Sequence, residues 1–200
     1  MAETDSTDSR GVTNTSVQPS SMSEFGERRS FRAHLGVVLA AWLLSLGIDF
    51  FLHAGALAKL YLSESPFLLS AELAFARIPL GYVSFLILTA ALWWFCNTLG
   101  VRGAAAGLRL GLVSGAAVWG GILIGLFSIS TAPADLLLGW WVGQSLELGA
   151  AGAVIGAGLA SDRRSAIYVR VALAMLICIA ATIGLQLLGW APAMESVGTP

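Results

Sequence analysis

Asp49, His53, Gln144 and Glu147 are the residues of this chain best equipped for chemistry, and all four fall inside stretches otherwise fit for lipid. A carboxylate in the middle of hydrocarbon costs at least ~2.5 kcal/mol on insertion scales, so it faces a partner, a cavity or a conduction path. Asp49 and His53 are four residues apart, which places them one turn apart on one helix face. Gln144 and Glu147, three apart, share a face in the same way. At ~1.5 Å per residue, Asp49 lies about 13 Å and Glu147 about 16 Å from the same membrane surface. The spacing therefore predicts two polar levels, Asp49 with Glu147 and His53 with Gln144 nearer the outside.

That constellation supports three kinds of chemistry. Two acids held close share a proton, and a shared proton removes the charge that makes burial costly. The cluster then serves as an interhelical hydrogen-bond clamp, although such bonds average only ~0.6 kcal/mol in membranes. A carboxylate near the midplane with a titratable imidazole one turn above also suits proton-linked transport or small-ligand binding. Against transport, five spans without a detectable inverted repeat match known secondary transporters poorly. Asp49, His53 and Glu147 would also supply the three protein ligands of a catalytic zinc, making a metal-dependent intramembrane enzyme the third reading. One histidine is a thin inventory for it. His34 lies about 28 Å from His53 at helical rise, and no HExxH occurs. The sequence leaves any cofactor unknown.

The elements that must hold these residues are read from the apolar runs. Hydrophobic residues make up 56% of the 200 positions and charged ones only 12%, half the charge of a soluble domain's surface-bearing chain. Five apolar segments, near 35–58, 78–99, 107–128, 136–160 and 167–190, each approach the ~20 residues that span a bilayer core as helix. The expected fold is all-α, an integral membrane bundle of about five transmembrane helices over 34–191. A Ser/Thr-rich segment, 1–33, reads as a disordered tail, and 192–200 as a short C-terminal one. In the first loop, Ser65-Pro66 reads as a helix start. A short interfacial helix, or an early extension of the second span, would follow from Phe67 to Arg77, with Pro79 separating or kinking the two.

Orientation follows from the basic residues. With the N-terminus inside, Arg10, Arg28, Arg29, Arg32, Arg102, Arg109, Arg163, Arg164 and Arg170 fall on the inner side. Only Lys59 and Arg77 fall outside, which is the positive-inside asymmetry and leaves the C-terminus outside. Ten arginines against one lysine, with abundant Ala and Gly, point to a GC-rich bacterial genome and an inner membrane.

Gly107, Gly111 and Gly115 form one small-residue row on the third span, and Gly139, Gly143, Gly152 and Gly156 two more on the fourth. Small residues at this spacing let helix backbones approach, so spans three and four are expected to form one tight hairpin. Lining a path or a homodimer contact is the rival role. The expected partners are the lipid bilayer and either a second copy or another membrane subunit. No basic, aromatic-interleaved surface supports nucleic-acid binding. Cys96 and Cys178 read as small buried hydrophobes at different depths, too far apart to bridge.

Overall fold

The computed structural model describes residues 21–63, 66–161 and 163–192. The described residues contain helices and no strand: α1 (Ser21–Phe51), a π-helical turn (Leu52–Ala56), α2 (Ala58–Tyr61), α3 (Ala71–Thr98), α4 (Ala104–Ile129), α5 (Ala134–Ala160) and α6 (Ser165–Leu187). Five of these helices are long and apolar enough to cross a membrane, over Arg32–Ala56, Leu73–Thr98, Ala104–Ile129, Ala134–Ala160 and Ser165–Leu187. They coincide with the five expected segments to within about five residues at each end. Helix α1 already includes Ser21, inside the segment expected as a tail. Residues 1–20 and 193–200, where the rest of both tails falls, lie outside the described residues.

Helix α5 is the centre of the bundle. Two thirds (67%) of its apolar window is buried, against 11% in α3 and α4, so Gln144 and Glu147 on α5 meet protein. Helix α4 lies against one side of it. A β-carbon on Gly107 would strike the carbonyl of Gly152, and one on Gly111 the carbonyl of Leu148. The Gly103 N–H reaches the Gly156 carbonyl at 2.8 Å, and Trp141 Nε1 donates to the Ala116 carbonyl at 3.0 Å. Backbones this close gain dispersion contacts that lipid chains cannot match. The expected α4–α5 hairpin is therefore present, and Gly107, Gly111, Gly115, Gly152 and Gly156 are its seam.

Gly139 and Gly143 do something else. Their missing side chains make room for Leu60 and Leu52, so this second row of α5 faces α1 and the turns beyond it. Nine residues separate Gly143 from Gly152, which at 3.6 residues per turn puts them on about opposite sides of the helix. Helix α1 runs antiparallel to α5 and parallel to α6. Along the α6 side, Gly36 meets Tyr168, Gly47 meets Met175 and Gly55 meets Thr182. Val37, Ala41, Leu92, Cys96, Ala151, Ile155 and Val171 close the core near the arginine-rich end. Cys96 and Cys178 are free thiols.

In the first loop the helix starts later than Ser65-Pro66 suggested. Helix α3 starts at Ala71, capped by Ser70, whose Oγ accepts the Leu73 N–H at 3.4 Å. Pro66 and Phe67 lie in a turn ahead of it, and Ser65 lies outside the described residues. Among the described residues the stretch ahead of Pro79 is an early extension of the second span, one of the two expected forms: α3 runs unbroken through Pro79. Spanning helices tolerate an internal proline because neighbouring groups take up the freed carbonyl. At its other end α3 closes on Gly100 with φ +66°, the Val101 N–H returning to the Cys96 carbonyl at 2.8 Å. This is the glycine-dependent left-handed stop that a helix uses to satisfy its last carbonyls.

Candidate functional site

The packing of α1 on α5 brings Asp49 and Glu147 together. Ser45, one turn below Asp49, donates its hydroxyl to the Glu147 backbone carbonyl at 3.5 Å, and Gly143 admits Leu52 one turn above. The depth arithmetic thus corresponds to a contact between neighbouring helices, and Asp49 is an electrostatic neighbour of Glu147.

The hydrogen bonds are not those expected from level alone. His53 Nδ1 lies 2.9 Å from Asp49 Oδ1 and 3.1 Å from the Asp49 carbonyl. His53 is therefore held by its own helix neighbour, and no hydrogen bond joins it to Gln144 among the described residues. Gln144 is buried on α5, one turn along from Trp140. Glu147 is 1% exposed, and neither carboxyl oxygen has a hydrogen-bond partner among the described residues. An unpaired carboxyl withdrawn from water is one of the costlier groups a protein can keep. The side chains of Asp49 and His53 are 17% and 36% exposed, so the cluster runs from a sealed acid to an imidazole at the boundary.

Aromatic rings cover the cluster towards the Lys59 end. His53 stacks on Tyr61 with centroids 4.0 Å apart, Tyr61 lies 6.4 Å from Trp140, and Trp140 is 6.2 Å from Phe67. Burial first, then the negative charges of Glu147 and Asp49, push the Tyr61 hydroxyl above its ordinary range. Tyr61 is thus a neutral hydrogen-bond donor throughout the physiological range, placed within electrostatic reach of both acids.

The π-helical turn at Leu52–Ala56 begins one residue before His53. Sequence reasoning missed it, together with Gln186. The turn widens the helix so that the Leu57 N–H bonds the Leu52 carbonyl at 2.8 Å. Carbonyls at its far side are met from α6 and the segment after it: Gln186 Nε2 donates to Ala54 at 3.1 Å, and Trp190 Nε1 to Ala56 at 3.4 Å. Single π turns recur at functional sites because they redirect a side chain within a helix. The available signal was an amide, Gln186, near the end of an apolar span, where a buried amide needs a partner. Gln186→Leu is expected to cost about 1 kcal/mol of stability and to speed amide exchange at Leu57, read by hydrogen–deuterium exchange. Unchanged exchange there would show that the turn holds without α6.

Among the described residues no three His, Cys, Asp or Glu side chains converge as metal ligands. No protein-family model, curated protein or solved structure matches this chain.

Proposed function

We propose that this multi-pass membrane protein carries out proton-linked transport or small-ligand binding through Asp49, His53, Gln144 and Glu147. The observation that carries the reading is Glu147: sealed from solvent, unpartnered, and beside an Asp49–His53 pair at the edge of the bundle. A group of this kind is met by a bound proton or by a bound cation. His53 is the relay between the buried acid and the water at the Lys59 end. That end faces outward in a bacterial inner membrane, with the N-terminus in the cytoplasm, because the arginines gather at the other.

The clamp reading has one observation in its favour, the Ser45 hydrogen bond to the Glu147 backbone. A clamp draws its stability from hydrogen bonds across the helices, however, and the Glu147 carboxyl makes none among the described residues. A backbone acceptor would serve Ser45 equally well with any residue at position 147. Glu147→Gln is expected to fold normally and to lose all proton exchange between the cluster and outside buffer, measured as pH-jump proton uptake. Uptake equal to that of the unaltered chain would remove Glu147 from the pathway.

A further inference from the structure

We infer that the ligand of this site is a singly charged organic ammonium ion, which binds in exchange for a proton on Glu147. The inference rests on the reading above and adds the substrate class.

Charge matching is the first argument. Asp49 is matched by His53 at 2.9 Å. Glu147 is matched by nothing: among the described residues no Lys or Arg pairs with either acid, and both Glu147 oxygens are buried without a partner. Arg109 and Arg170 lie near the opposite ends of their helices. One unmatched carboxylate in a low-dielectric site takes one positive charge, because a second would be as costly to bury as the first.

The donor set is the second argument. A bare divalent cation requires six or more oxygen ligands, or several retained waters, and the described side chains offer no converging set. An alkylammonium ion needs one carboxylate and apolar or aromatic walls, and Leu52, Leu60 and Tyr61 pack on the α5 face one and two turns from Glu147. Gly139 and Gly143, on the same face of α5, give their space to Leu60 and Leu52. Tyr61 interacts electrostatically with both acids and opens the run of rings through Trp140 to Phe67. Aromatic faces attract quaternary and primary ammonium groups without demanding water.

The exchange balances. The ammonium ion enters from the Lys59 side, the Glu147 carboxyl gives up its proton as the ion pairs with the carboxylate, and that proton leaves to bulk water by way of the Asp49–His53 pair. One cation enters, one proton leaves, and the buried charge is unchanged. The titratable groups that face this exchange are Asp49 and His53 on α1, Tyr61 on α2 and Tyr82 on α3, which is an electrostatic neighbour of Asp49.

The test is calorimetric titration of the full chain in nanodiscs with tetramethylammonium chloride, against sodium chloride at equal ionic strength. Repeating it in buffers of different ionisation enthalpy counts the protons released. The expected result is saturable binding with about one proton released per ion. Apparent affinity should fall by up to about tenfold per unit of pH once the proton competes. Glu147→Gln should abolish binding. Tyr61→Leu should weaken it on the order of tenfold while proton release persists, and Tyr61→Phe should bind nearly as well. Equal heat and proton release with sodium would overturn the ammonium assignment. No heat with tetramethylammonium, while proton uptake by the cluster persists, would overturn this inference and leave the proposed function standing. Loss of both would sink the two together.

Discussion

Gly107→Ala is expected to break the α4–α5 hairpin, the largest single-substitution effect in the molecule. The added methyl has no free space, since it would meet the Gly152 carbonyl and, at 3.1 Å, the Gly156 α-carbon. Backbone atoms cannot turn aside as a side chain can, so the helices must separate along the whole seam. Overpacking costs typically 1–3 kcal/mol even where side chains can yield, and about 3 kcal/mol or more is expected here. Gly152→Ala should behave alike, because its β-carbon would meet the Gly107 carbonyl. Gly121→Ala and Gly125→Ala are the controls, with nothing within 4 Å of either position. They should change stability by about 1 kcal/mol or less, in the favourable direction that alanine's helix propensity gives. The check is an unfolding titration of the four variants in detergent. Equal losses at Gly107 and Gly121 would mean that the seam is not where the helices meet.

Exchanging the two acids for leucine should move stability in opposite directions. Among the described residues the Glu147 carboxyl has no hydrogen bond to lose, and leucine removes a buried polar group, so Glu147→Leu is expected to stabilise the fold by about 1–3 kcal/mol. Asp49→Leu leaves His53 without its partner and should destabilise by about 1–3 kcal/mol. The same unfolding titration reads both. A clamp requires the opposite sign at Glu147. Stability held back at a buried group is how functional sites depart from the packing optimum, and a stabilised but inactive Glu147→Leu would be that trade made visible.

Much of this architecture was legible in the sequence because membrane helices need long apolar runs and small-residue seams. Gly107, Gly111 and Gly115 could be matched to Gly152 and Gly156 from spacing alone. The same spacing left the partner of Gly139 and Gly143 open, since a row of glycines does not say which neighbour it faces. Only the rotation of α5 between α1 and α4 decides that. The start of α3 was misplaced because Ser65-Pro66 and Ser70 are both competent caps, and the choice falls to the turn that Phe67 makes over Trp140. The π turn was not legible. It depends on donors from Gln186 and Trp190, over 130 residues away in the chain. Of the candidate site, the nearness of Asp49 to Glu147 could be read from depth. The pairing of His53 with Asp49 and the isolation of Glu147 could not, because level along a helix does not fix where a side chain points.

Proton exchange between Glu147 and the outside is open to infrared difference titration of isotope-edited carboxylates, in nanodiscs between pH 5 and 9. The expected result is a carboxyl band that responds to outside buffer and is absent in Glu147→Gln. A Glu147 carboxyl band unchanged across that range would mark a dry structural group and rule out a proton pathway through it.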